Sequence, residues 1–165
     1  MATSMSAQLV VHADPAATFA LLTDPGYVED VATTTGGTEA EVSCTPSDDG
    51  GVTVVSARTL PAELPSYAKA LVGDHIRITE TRAFGPAAAD GSRDGTVSVD
   101  FAGAPMSAEG TLRLEPGPDG VTVTTVSMTL KASVPFVGGK IEKFAAEEIE
   151  KYLAKEQVLA HDRLG

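Results

Sequence analysis

The spacing of apolar positions changes period along this chain. Over Met5–Ala13, Leu9, Val11 and Ala13 alternate with Gln8, Val10 and His12, which predicts a first strand. Asp14-Pro15 then offers a capping carboxylate followed by proline in the first helical turn, and Phe19 and Leu22 stand one helical turn apart. A short helix is expected over Ala16–Leu22. Asp24-Pro25-Gly26 interrupts it, and a second short helix is expected over Tyr27–Ala32. A period of two then returns in six pieces: Thr38–Thr45, Gly51–Leu60, His75–Phe84, Thr96–Phe101, Met106–Glu115 and Val121–Val134. Asp49-Gly50, Asp90-Gly91, Asp94-Gly95 and Asp119-Gly120 supply hairpin-type turns, since both residue types tolerate positive φ. Strands joined by short turns make an antiparallel meander, not a parallel sheet with crossover helices.

The last change is to a helical period, from Gly138 to about Arg163. Ile141, Ala145, Ile149, Tyr152 and Leu159 share one face, flanked by Phe144 and Leu153, while Lys143, Glu147, Glu150, Lys151 and His161 fall elsewhere. Neither this helix nor the sheet can bury its apolar face alone, so the helix must lie across the sheet. Two carboxylates break the pattern. Glu148 lies among the directions of Ile141, Phe144 and Tyr152, and Glu156 lies between those of Ala145 and Ile149. An inward carboxylate needs water or a basic partner from the sheet.

The sheet offers such partners. Ile76, Ile78, Glu80, Arg82 and Phe84 share one face of their strand, and Val52, Val54, Ser56, Arg58 and Leu60 share one face of theirs. If both faces line a cavity, Arg58, Glu80 and Arg82 form an inward charged cluster that meets Glu148. It is either a satisfied ion-pair network or a polar anchor for a ligand headgroup, with general acid–base work by Glu80 or Glu148 a further reading. Phe101, Leu112, Met128, Leu130 and Phe144 are expected to give an apolar lining, together with Ile141, Ala145 and Tyr152. Leu60–Gly73 is too long for a hairpin, carries Pro61 and Pro65, and is expected to fold back with a helical turn over Ser66–Val72. It reads as a packed connector or as a lid, with Leu64 and Tyr67 its candidate cavity contacts.

Composition narrows the classes of function. The 165 residues suit one domain, 1–165, with no apolar run long enough to span a membrane. The net charge of −11 argues against nucleic acid and anionic membrane surfaces. Cys44 is the only cysteine and the first residues lack a secretory pattern, which together suggest a reducing cytoplasm. Rich Ala, Gly, Val and Asp with neither Trp nor Asn suggests a high-GC bacterial genome. Gly138-Gly139-Lys140 is not a phosphate loop, because Val134 and Ile141 stand where that motif needs Gly and Ser or Thr. His12, His75 and His161 lack metal-site spacing, and Cys44 has no histidine near it in sequence, so neither a metal, a cofactor nor a catalytic nucleophile is indicated.

The order of strand, two short helices, six-strand meander and long C-terminal helix resembles the α+β helix-grip fold of the START-like superfamily. The stretch Val134-Pro135-Phe136-Val137-Gly138-Gly139-Lys140-Ile141-Glu142-Lys143 resembles the sheet-to-helix junction of an uncharacterised, single-domain bacterial branch of it. There Pro135 would stop the strand and the glycine pair would permit the sharp turn. The resemblance implies a curved sheet of about seven strands around the helix, with an apolar cavity between them, and transfers no catalytic residue. The expected role is binding, transport or sequestration of an apolar or amphipathic small molecule or lipid. The alternatives are a polyketide cyclase or aromatase-like enzyme and a cavity-free protein-interaction module. The ligand and the oligomeric state are not legible in the sequence.

Overall fold

The structure, a computed structural model, describes residues 2–61, 65–66, 69–70 and 73–164. Strand β1 (Thr3–Val11) leads into helices α1 (Pro15–Leu22) and α2 (Pro25–Thr34). The meander follows as β2 (Thr38–Pro46), β3 (Val52–Pro61), β4 (His75–Phe84), β5 (Arg93–Phe101), β6 (Met106–Pro116) and β7 (Thr122–Ala132), with one 3-10 turn at Pro118–Gly120. Helix α3 (Gly138–Leu164) closes the chain, its 27 residues reaching about 40 Å. Among the described residues the strands form one curved antiparallel sheet in the order β1-β7-β6-β5-β4-β3-β2. This is the helix-grip arrangement that the order of elements predicted.

Local chemistry explains the boundaries. Asp14 Oδ1 accepts from the Ala17 amide at 2.7 Å and Asp24 Oδ2 accepts from the Tyr27 amide at 3.0 Å, each with proline next in the chain. Asp24-Pro25 is therefore a second helix start, and α2 begins two residues before the expected Tyr27. Asp94-Gly95, expected as a turn, lies inside β5 instead. A Cβ on Gly95 would stand 2.3 Å from the Ala83 carbonyl oxygen, so this glycine serves close strand approach and not a reversal. At the sheet-to-helix junction it is Phe136 that takes the left-handed conformation, at φ 69°, rather than either glycine of the pair. Gly138 is needed for another reason: a Cβ there would lie 2.8 Å from the Ala132 carbonyl oxygen, where the helix start meets the end of β7.

The core lies between the sheet's concave face and the helices. Leu9, Val11, Leu112, Leu114, Val126 and Leu130 are buried where α3 crosses β1 and β7. Three polar side chains of α3 fix this crossing. Near the start of α3, the buried Glu142 carboxylate accepts from the Ala132 amide and from Thr3 Oγ1, both at 2.9 Å. Toward its end, Gln157 Oε1 accepts from the Val10 amide at 2.8 Å and His161 Nε2 lies 3.1 Å from the Val10 carbonyl oxygen.

Backbone approach within the sheet and the Glu142 contact can each be tested. In β6, a Cβ on Gly110 would lie 1.8 Å from the Ser127 carbonyl oxygen, whereas one on Gly139 meets nothing within 4 Å. Gly110→Ala should cost about 3 kcal/mol in urea unfolding, while Gly139→Ala should be neutral or slightly stabilising. The Ala132 amide, and then the Thr3 hydroxyl, hold the Glu142 carboxyl below the ordinary carboxylate range. Its contribution is therefore present above the unfolded value of about 4.3 and lost as pH falls below that through the folded value. The stability difference between the parent chain and Glu142→Gln should shrink as unfolding is measured from pH 6 down to pH 3. A difference constant over that range refutes the assignment.

Candidate functional site

Because α3 rests on β1 and β7, it does not close over the strands on the other side of the concave face. A cavity of about 680 Å³ remains there. The sheet contributes Leu60, Ile76, Ile78, Val99, Phe101 and Met106 to its wall. Helix α3 contributes Ile141, Phe144, Ala145, Ile149 and Tyr152. Polar groups enter at few places. Arg58 and Glu80 stand on the sheet wall, and Glu148, Lys151 and Lys155 stand on the helix side at the exposed rim.

The register explains why charges share this face. Ser56 pairs with Glu80, Arg58 with Ile78 and Val54 with Arg82, so the inward sets of β3 and β4 lie side by side. Arg82, 6% exposed, sends Nη1 and Nη2 to the two oxygens of Glu156 at 2.9 and 2.8 Å, and its Nε lies 3.1 Å from Glu80 Oε1. Burial opposes the Arg82 charge, but Glu156 and Glu80 outweigh it and raise the guanidinium well above its ordinary range. Tyr27 completes the knot from α2, donating its hydroxyl to the Glu156 carbonyl oxygen at 2.7 Å. Burial, then Glu80 and Glu156, push the Tyr152 hydroxyl far up, so it stays protonated at neutral pH. Arg58 stacks over the Tyr152 ring, its guanidinium carbon 4.3 Å from the ring centroid.

Of the residues the sequence nominates, Arg58, Ile78, Glu80 and Phe101 on the sheet meet Ile141, Phe144, Ala145, Glu148 and Tyr152 on the helix around this space. Leu112, Met128 and Leu130 do not reach it. They are 2%, 3% and 0% exposed in the packed core, because they lie on strands toward the side that α3 covers. Arg82 is likewise behind the wall, sealed by Glu156. The meeting of the arginine cluster with Glu148 does not occur. Glu148 sits at the rim, 3.2 Å from Lys151, and Glu156, two turns further along α3, takes the inward role. Leu64, Tyr67 and most of the turn expected over Ser66–Val72 lie outside the described residues, although the β3–β4 connection leaves the cavity wall at Leu60 and Pro61.

Sequence reasoning missed two anchors. Glu142 has no apolar neighbour pattern to flag it, and only the proximity of the β7 end gives it an amide to bind. His12 and His161, far apart in the chain, come together with ring centroids 5.1 Å apart. Among the described residues no group of three or more His, Cys, Asp or Glu could hold a metal ion, and no helix is long and apolar enough to cross a membrane.

Comparison with known proteins agrees with this architecture. Residues 6–164 match the family described as a protein of unknown function, DUF2505. An uncharacterized protein of Mycobacterium tuberculosis is 26% identical over 112 residues, 67% of this chain and 64% of that protein, so the chain spans less than two thirds of that relative's length. A START superfamily protein from Mycobacterium smegmatis aligns over 98% of this chain and 99% of its own, with TM-score 0.58 and 14% identity. The Zhui aromatase/cyclase from Streptomyces sp. R1128 aligns over 99% of this chain and 92% of its own, with TM-score 0.56 and 12% identity. At these identities the structural likeness shows the fold alone.

The buried knot yields a prediction. Glu156→Ala leaves Arg82 with Glu80 as its one remaining partner among the described residues and should cost about 3 kcal/mol in chemical unfolding, whereas Arg82→Met combined with Glu156→Met and Glu80→Gln should recover most of that loss. A triple variant as unstable as the single one contradicts this account.

Proposed function

The chain belongs to the DUF2505 family, and from the hollow between its sheet and helix we propose that it binds an apolar or amphipathic small molecule, or a lipid. The observation that carries this reading is the space itself. Its 680 Å³ falls within the range typical of ligand pockets, about 300–1,000 Å³. Its wall is mostly hydrocarbon from Ile78, Val99, Phe101, Ile141, Phe144 and Ile149, with a few placed polar groups. Transfer of an apolar chain into such a space gains about 25 cal/mol per Å² removed from water. The polar groups then set orientation and selectivity. The START-like fold of the structural neighbours supports a role of this kind.

A cyclase-like reaction needs a side chain free to give or take a proton in the cavity. Glu80 is committed to Arg82 at 3.1 Å, and Glu148 stands at the exposed rim, 3.2 Å from Lys151. Binding without turnover therefore has the better physical support. Transport or sequestration of the bound molecule is the corresponding role.

Filling the space tests the proposal. Ile149 is half-buried on the wall, and Ile149→Trp should fill part of the cavity without disturbing β1, β7 or the Arg82 knot. The parent chain should bind a neutral fluorescent probe such as N-phenyl-1-naphthylamine, and the variant should bind it at least about tenfold more weakly, a change of about 1.4 kcal/mol. Equal binding by both chains, or no binding by the parent, sinks the reading.

A further inference from the structure

Among the described residues, Arg58 differs from the other buried charges of the site in having no carboxylate paired with it. Its side chain is 7% exposed, and Nε and Nη1 are shut off from solvent with no hydrogen-bond partner among the described residues. Glu80 and Glu156, the inward carboxylates nearest in register and along the helix, both engage Arg82. Glu148, the other carboxylate on the wall, is 3.2 Å from Lys151. A guanidinium cannot shed its proton in a protein, so burying it without an anion is costly. The fold nevertheless makes room for it. Gly37, in the α2–β2 turn, is buried, and a Cβ there would lie 2.9 Å from Arg58 Cδ and 2.5 Å from the Ala32 carbonyl oxygen. The stem of Arg58 is thus seated against bare backbone on one side, while its planar head lies on the Tyr152 ring on the other.

The rest of the wall has the same sign once its internal pairs are set aside. Arg58, Lys151 and Lys155 line the cavity against Glu80 and Glu148. With Glu80 engaged by Arg82 and Glu148 by Lys151, Arg58 and Lys155 are the charges left over among the described residues. On a chain of net charge −11 this is a local reversal of sign at an apolar cavity.

We propose that the occupant of the cavity is a monoanionic amphiphile, an aliphatic or aromatic carboxylic acid, whose carboxylate is received by Arg58 while its hydrocarbon part fills the apolar wall. This rests on the binding role proposed above and adds to it the charge of the ligand and the residue that reads it. Tyr152 acts as a platform holding the guanidinium plane in place, so that the part of Arg58 that lines the cavity presents its charge to the carboxylate. Lys155 at the rim favours entry of the anion and does not contact its final position.

Competition against the neutral probe N-phenyl-1-naphthylamine at pH 7.5 distinguishes the possibilities, using decanoic acid, methyl decanoate, 1-decanol and decyltrimethylammonium. Charge-assisted hydrogen bonds to a buried arginine predict that decanoic acid displaces the probe at least about tenfold more effectively than 1-decanol or the ester, with the cationic amphiphile weakest. Arg58→Met should bring decanoic acid level with 1-decanol while leaving the alcohol within about threefold of its parent value, since a charge-assisted bond is lost but the apolar wall is not. Acid and alcohol displacing alike in the parent, or an acid preference that survives Arg58→Met, overturns the assignment of Arg58 and leaves ligand binding standing. If the probe itself does not bind, the binding role falls and the inference falls with it. Should Arg58→Met fail to fold by circular dichroism, the parent ligand series decides alone.

Discussion

The bidentate contact between Arg82 on β4 and Glu156 on α3 sets the rotation of the long helix, and the cavity takes its shape from that rotation. Apolar packing alone leaves a helix free to roll by some tens of degrees on a sheet, since hydrocarbon contact is non-directional. Two parallel hydrogen bonds between a fork and a carboxylate do not allow it. With Glu156 turned to β4, Tyr152, one turn earlier, must face β3, where Arg58 receives its ring. Ile149 and Ala145 then face the open part of the sheet. The pair need not add net stability to do this, because burying both charges offsets much of their attraction. Its effect is on which of several packings is adopted.

The cavity exists because the two halves of the concave face are filled unequally. Toward β1 and β7, Leu9, Val11, Met128 and Leu130 meet Leu153 and Ala160 in one continuous core. Toward β3, β4 and β5 the sheet presents Ile78, Val99 and Phe101, but α3 answers with side chains that end short of them, and at one position only with Ala145. The polar knot forms the boundary between the dry half and the hollow half. Tyr27, brought by α2, seals its far side with a hydrogen bond to the helix backbone.

Much of this was legible in the sequence where the signal is local. The period of two marked all the strands, and the Asp-Pro steps marked helix starts, although Asp24-Pro25 read as an interruption because a cap and a break use the same residues. The shared inward face of Arg58, Glu80 and Arg82 followed from alternation and is visible in the register. What failed required knowledge of where α3 crosses. Glu148 and Glu156 are both inward by helical angle, and only the crossing point decides which one meets arginine and which one meets water. The same ignorance placed Leu112, Met128 and Leu130 on a cavity wall that begins further along the sheet. Gly95 illustrates a different failure: Asp-Gly favours a turn, but the demand for a bare Cα between Ala83 and Leu112 overrides it.

Helix α3 is tied down near both ends, by Glu142 to the finish of β7 and by Gln157 to β1, with the Arg82 clasp between. A beam fastened in this way cannot rise from the sheet without breaking buried polar contacts at more than one point. On the helix side the cavity wall is therefore fixed in position. Under the binding role proposed above, discrimination by girth would come with the architecture, before any individual wall residue is consulted.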